Sequence, residues 1–129
     1  MIISISNIPN KRSRDPNVAI SDLWPELGKD FELNQFYRLY DGAEGWLGDG
    51  YLAIWPRNEV QEFRNPNLEA YPDKYHFFAS DGGGTQFGFV VDNKAVSFVS
   101  APDIGSEEDI RVLGSWEQFL RAVEAGDYI

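Results

Sequence analysis

The fold of this chain is decided by one stretch, Phe77-Phe78-Ala79-Ser80-Asp81-Gly82-Gly83-Gly84-Thr85-Gln86-Phe87-Gly88-Phe89. Two strand-like runs, 75–80 and 86–92, flank five residues that favour a turn. Aspartate and glycine tolerate the positive φ that a tight connection between strands requires. The pattern therefore predicts a β-hairpin with its turn at 81–85.

Downstream of the hairpin, the sequence predicts a strand at 96–99, after a turn at 92–94, and then a C-terminal helix. Ser115 and Gln118 have the spacing of a capping box at the start of that helix, and Gly126 is placed to end it. The apolar stripe of the helix is formed by Trp116, Phe119, Leu120 and Val123. We expect this stripe to pack on a layer that contains Phe77, Ala79, Phe87 and Phe89. Side chains alternate along a strand, so only one of Phe77 and Phe78 can face this layer.

Upstream of the hairpin, the clearest pattern is a helix whose apolar residues have helical spacing: Leu33, Phe36, Tyr37 and Tyr40. Gly42 is placed to end it in the left-handed conformation. The three glycines of 43–50 predict a loop around Trp46. Residues 51–55 then predict a strand that ends at Pro56.

Shorter elements complete this order. A short helix at 21–27 would be disturbed by Pro25 and stopped by Gly28, and another is predicted at 58–63. Residues 1–19 have the weakest secondary-structure pattern, in which Ile2–Ile5 predicts a short strand. The sequence thus predicts one α+β domain over 1–129, in which an antiparallel sheet packs against N- and C-terminal helices. Of its tryptophans, Trp55 and Trp116 are expected in the core.

Composition narrows the class of function. The chain has 129 residues, no cysteine and a net charge of −10, and Lys11, Arg12 and Arg14 precede every acidic residue. An acidic protein repels nucleic acid. We therefore expect either that the negative charge attracts a basic partner or that it serves only to keep the protein soluble. With no signal-like or membrane-spanning apolar run and no disulfide framework, the sequence predicts a cytoplasmic protein away from membranes, monomeric by default.

Residue types that carry catalysis are sparse. His76 is the only histidine, so neither a zinc ligand set nor a Ser-His-Asp triad can be assembled, and we expect His76 on the sheet surface. The glycine-rich 81–85 lacks a following Lys-Ser/Thr and joins two strands, which argues against a phosphate loop. The acids of 103–109 match no EF-hand loop. We therefore predict a non-enzyme with no metal and no cofactor.

A resemblance to a known family adds to these inferences. The order of motifs from about 20 to 125 resembles the SUKH superfamily, which includes bacterial toxin-immunity proteins and fungal cell-wall assembly regulators. The resemblance is carried by the helix before Asp41-Gly42, by 51–60, by 77–89 as the family's signature hairpin, and by the closing helix at 115–120. Two features depart from the family: Phe31-Glu32-Leu33 replaces a Leu-Pro start, and Asp41 replaces Asn.

The resemblance implies a binding domain, most directly an immunity protein that neutralises a toxin. The acidity favours a basic, nuclease-type toxin as the partner. The candidate partner-binding residues are Asp41, Glu44, Trp46, Asp49, Asp81, Glu107, Glu108 and Asp109. Two alternatives stay open: a regulatory or scaffold domain with a cellular protein partner, and, more remotely, a sugar-binding or glycoside-acting protein that uses Glu44 and Asp49 beside Trp46.

Overall fold

A computed structural model describes residues 7–17, 21–62, 71–72 and 74–129 of the chain. The helices are α1 (Glu32–Leu39), α2 (Arg57–Glu62) and α3 (Trp116–Glu124), with short 3-10 turns at Pro25–Leu27 and Glu107–Asp109. The strands are β1 (Lys11–Ser13), β2 (Tyr40–Leu47), β3 (Gly50–Ile54), β4 (His76–Ser80), β5 (Thr85–Asp92), β6 (Ala95–Pro102) and β7 (Arg111–Gly114). The expected strand at Ile2–Ile5 lies outside the described residues.

The seven strands form one antiparallel sheet in chain order, β1 to β7. The α+β class is thereby confirmed. In such a meander, alternate connections lie at the same end of the sheet, so β2–β3, β4–β5 and β6–β7 all turn at one end. After β7 the chain enters α3, which runs back and ends beside the β2–β3 turn, where the amide of Asp49 donates to the carbonyl of Glu124 at 2.8 Å.

The decisive hairpin is confirmed, and its turn is held by a carboxylate. Oδ1 of Asp81 accepts hydrogen bonds from the amides of Gly83 (2.8 Å) and Thr85 (3.0 Å). Gly82 and Gly84 have φ of 74° and 106°, which residues with a Cβ rarely adopt. The turn therefore requires aspartate at position 81 and glycine at positions 82 and 84.

One face of the sheet, here called the inner face, packs against α1 and α3. The capping box of α3 forms as predicted, with Ser115 accepting from the Gln118 amide. Phe119 is stacked on Phe98 with ring centroids 5.4 Å apart and also meets Phe87 edge to face. The buried aromatic residues of this core are Trp24, Phe31, Phe36, Tyr37, Phe78, Phe87, Phe89, Phe98, Trp116, Phe119 and Tyr128.

A β-bulge in β4 makes the core layer differ from the predicted one. Phe78, not Phe77, packs in the main core with Ala79, because the β4–β5 register shifts between Phe77 and Ala79. The extra residue lets two successive side chains serve the same core. Phe77 faces the opposite side of the sheet, here called the outer face, in a second cluster with Tyr71 and Ala101. Trp55, expected in the core, is half-buried against that cluster.

The predicted loop at 43–50 is wrong: most of it belongs to β2 and to the start of β3. Gly42 does not end α1 but lies within β2 with φ of 95°, and α1 ends at Leu39. The glycines serve close packing, since a Cβ at Gly45 would meet Pro9 and one at Gly50 would collide with the carbonyl of Val123. Only Gly48-Asp49 forms the connection.

Other elements match or extend the sequence interpretation. The segment at 21–27 contains the short 3-10 turn, and Gly28 follows it with φ of 83°. β6 extends beyond the predicted 96–99, while β1 and β7 have no counterpart in the sequence interpretation. His76 is half-buried at the start of β4, with its ring 5.0 Å from that of Phe89.

The approach of β2–β3 to α3 generates a stability prediction. Gly50→Ala would push a methyl group into the Val123 carbonyl, so we expect the free energy of unfolding to fall by about 2 kcal/mol or more in urea denaturation. Gly83→Ala is the control, because its methyl would meet only Asp81 at 3.7 Å, and stability should change by less than about 0.5 kcal/mol. Equal effects of the two changes would contradict the close approach.

Candidate functional site

The most exposed tryptophan described lies on the outer face of the β2–β3 hairpin. Trp46 and Tyr51 are directly opposite each other across the two strands. Their rings meet edge to face, with centroids 5.5 Å apart and an interplanar angle of 79°. Trp46 is nevertheless 68% exposed. A large aromatic surface is therefore held in place by its strand and neighbour without being buried.

A carboxylate adjoins this aromatic pair. Glu44 precedes Trp46 by two residues, so both side chains leave the same face of β2. The Tyr51 hydroxyl donates to Oε2 of Glu44 at 2.6 Å, and this hydrogen bond raises the pKa of Tyr51. Glu44, Trp46 and Tyr51 are called the outer-face triad below. The hydrogen bond fixes the carboxylate beside the indole.

Two neighbouring segments border the outer-face triad. Nη2 of Arg12 lies 3.9 Å from Oε1 of Glu44, and the side-chain amide of Asn10 donates to the Glu44 carbonyl at 3.0 Å. On the other side, a Cβ at Gly82 would lie 3.4 Å from the Tyr51 ring. The β4–β5 turn therefore lies against Tyr51, close enough for a Cβ at Gly82 to make van der Waals contact with the ring.

The connections at the end of the sheet where this hairpin turns are acidic. Residues 48–49, 81–84 and 103–110 contain no Lys or Arg. Their acids, here called the acidic end, are Asp49, Asp81, Asp103, Glu107, Glu108 and Asp109. Two basic side chains reach them or their surroundings: Lys74 lies 3.7 Å from Glu107, and Arg111 pairs with Asp127 at 2.9 Å. The acidic end is therefore a negatively charged surface formed by the connections between strands.

Three of the acids predicted to bind a partner accept hydrogen bonds from backbone amides and so stabilise the fold. Asp41 accepts from the amide of Arg57 at 2.8 Å and so caps α2, at the end of the sheet opposite the acidic end. Asp81 accepts hydrogen bonds from backbone amides of its own turn. Asp109 accepts from the amide of Ser106 at 2.8 Å and closes a capping box on the 3-10 turn. Their carboxylates are already engaged by backbone donors.

The remaining predicted residues divide into two groups. Glu44 and Trp46 are brought together, and Tyr51, which the sequence interpretation did not select, joins them. Its signal was available: a two-residue connection at Gly48-Asp49 places Tyr51 opposite Trp46. Asp49, Glu107 and Glu108 are exposed at the acidic end, outside the outer-face triad.

The fold and this surface define an α+β protein with a meandering antiparallel sheet and an aromatic–carboxylate group on the outer face. A comparison of the chain with known protein families and with curated proteins finds no match. Among the described residues, no helix has the length and apolar character to cross a membrane. The same part of the chain contains no group of three or more His, Cys, Asp or Glu that could hold a metal ion.

Asp81 also links the acidic end to the C-terminal segment. The Tyr128 hydroxyl donates to Oδ2 of Asp81 at 3.0 Å, and its ring meets Phe87 edge to face at 5.0 Å. Ser100 donates a hydrogen bond to the Tyr128 carbonyl. Burial and the Asp81 hydrogen bond raise the pKa of Tyr128 to about 12.

We expect Tyr128→Phe to lower the free energy of unfolding by about 1 kcal/mol near pH 7, the usual worth of a hydrogen bond. The folded protein favours the neutral phenol, whose ordinary pKa is 10.0. Its contribution is therefore complete below pH 10 and is lost as the pH rises through about 12. Urea denaturation at stepped pH should show the gap between wild type and variant narrowing over this window. A constant gap would contradict the interaction.

Proposed function

We propose that this domain is a non-catalytic binding protein that neutralises a basic bacterial toxin in the cytoplasm, as its resemblance to the SUKH superfamily implies. The observation that carries the proposal is the exposed Trp46, held on a regular strand beside the carboxylate of Glu44. Exposed tryptophans that become buried on association are among the commonest binding hot spots. A protein partner would remove the indole from water and gain that energy.

The charge distribution supports a basic partner. The chain carries −10 overall, and the acidic end has no cation within its three connections. Such a field steers Lys- and Arg-rich surfaces and raises the association rate. A nuclease uses Lys and Arg side chains to bind the phosphates of its nucleic-acid substrate. An acidic domain bound to those side chains would therefore exclude the substrate.

The glycoside alternative receives less support from the geometry. Glu44 lies on the outer face and is engaged by Tyr51, whereas Asp49 lies in the turn against the end of α3. Glycoside hydrolysis needs two carboxyl groups that flank one bond. The two carboxylates are held in different surroundings, Glu44 by Tyr51 on the outer face and Asp49 in the turn beside the end of α3.

The proposal is tested with the protein encoded beside this gene. Co-expression of the domain should restore growth to cells that the neighbouring product arrests, and the purified domain should form a 1:1 complex that abolishes the product's activity. Arrest that the domain does not relieve, with no complex by size-exclusion chromatography, would contradict the immunity function. A complex without any toxic activity would favour the regulatory or scaffold function instead.

Trp46 is expected to act on dissociation. Trp46→Ala should raise the off-rate about 30-fold, corresponding to about 2 kcal/mol for a desolvated aromatic anchor. Surface plasmon resonance measures this directly. Leu39→Ala is the matched control, since Leu39 is 61% exposed but lies at the opposite end of the sheet, and its off-rate should be unchanged. An equal effect of both changes would place the interface elsewhere.

The acidic end is expected to act on association. Replacing Glu107 and Glu108 with Gln should lower the on-rate several-fold at low salt, with little change in off-rate, because exposed rim charges act mainly by steering. Asp109 is left intact because it caps the 3-10 turn. The difference should vanish in high salt, where screening shortens the range of the field to a few ångströms. An on-rate indifferent to salt would exclude this role.

A further inference from the structure

We propose that the outer-face triad is a receptor for an arginine side chain of the partner, with the guanidinium stacked on Trp46 and paired with Oε1 of Glu44. This inference rests on the proposed function and deepens it, because it names the chemical group that the surface would recognise. Neither an aromatic ring nor a carboxylate alone would select arginine. Their fixed arrangement on one strand is what does so.

The indole supplies the stacking surface. Trp46 is 68% exposed, and Tyr51 approaches at 79° to its plane, so a large part of the indole stays open to solvent. Tyr51 is itself backed by Gly82 of the β4–β5 turn. A cation over an indole face is stabilised by the ring quadrupole, most strongly for tryptophan. The open surface is therefore suited to a planar cation.

The carboxylate supplies direction. Oε2 of Glu44 accepts from the Tyr51 hydroxyl at 2.6 Å, so Oε1 is the oxygen that is better placed to accept from an incoming donor. Residues two apart on a strand are about 7 Å apart. A side chain stacked on the indole can therefore direct its terminal nitrogens to Glu44. Arginine fits better than lysine because its planar guanidinium stacks and donates in a fixed fork.

The chain itself shows that a guanidinium can approach this atom. Nη2 of Arg12 lies 3.9 Å from Oε1 of Glu44, which is too long for a hydrogen bond, and both side chains are about half exposed. Arg12 is thus a weak resident cation that an arginine with better geometry would displace. Removing Arg12 should then strengthen binding, whereas a merely structural ion pair would show no such effect.

The test is a titration of the whole protein with acetyl-arginine amide, followed by NMR at the Trp46 indole N–H. That signal is identified as the one that Trp46→Phe lacks. We expect saturable binding at millimolar concentration, and acetyl-lysine amide should bind at least about threefold more weakly, as expected for an exposed cation–π contact with a planar partner.

Charge-matched variants separate the site from the general field. Glu44→Gln should weaken arginine binding about threefold or more, whereas Glu108→Gln, which removes the same charge at the acidic end, should leave it unchanged. Arg12→Gln should strengthen binding, and Lys29→Gln, which changes the net charge equally, should have little effect. Folding of each variant is checked by the dispersion of the core aromatic signals.

Equal binding of arginine and lysine, or equal losses in Glu44→Gln and Glu108→Gln, would overturn the inference in favour of a general acidic surface. A Trp46 shift with saccharides and none with arginine would overturn it in favour of a sugar site. Failure here alongside successful toxin neutralisation would leave the proposed function standing with a different contact. Success here without neutralisation would leave an arginine receptor for another partner.

Discussion

The contact between the β2–β3 turn and the last turn of α3 orients the surface on which both proposals depend. The amide of Asp49 donates to Glu124, and Gly50 lies so close to Val123 that no Cβ fits. α3 is in turn fixed by its capping box and by the stack of Phe119 on Phe98. With the inner side of the hairpin held in this way, the opposite side chains, Trp46 among them, must face outward.

This constraint explains which parts of the fold were readable. Local sequence patterns predict the 81–85 turn and α3: the turn has residues that tolerate positive φ, and the helix has a capping box. Both predictions were confirmed. β2 was not, because glycine at 45 and 50 indicates flexibility in a sequence window, whereas in the fold it admits Pro9 and a helix carbonyl. That meaning depends on distant residues. The β4 bulge at Phe78 and the short edge strand β7 are likewise set by their partners, not by their own pattern.

The candidate site was predictable to a similar degree. Trp46 and Glu44 were both selected from the sequence, and the fold places them side by side on the outer face of β2. Asp41, Asp81 and Asp109 were selected as acids near turns, but carboxylates near turns are also the groups that satisfy unpaired backbone amides, and each does so here. A carboxylate that caps a backbone amide can be distinguished from one that does not only if the position of that amide is known. Sequence spacing gives this position only when the amide is close in the chain.

The arrangement of charge and aromatic surface argues for a division between steering and anchoring. The acidic end is made of connections, whose exposed carboxylates in water contribute little to affinity but extend a field over about a Debye length. The outer-face triad is made of paired strands, where a hydrogen bond and ring contact restrict Glu44, Tyr51 and Trp46 before any partner arrives. A site that is already ordered loses less conformational entropy on binding, so more of the contact energy appears as affinity. In the proposed complex, the connections would therefore supply the long-range attraction, and the side chains on the sheet would set the residence time.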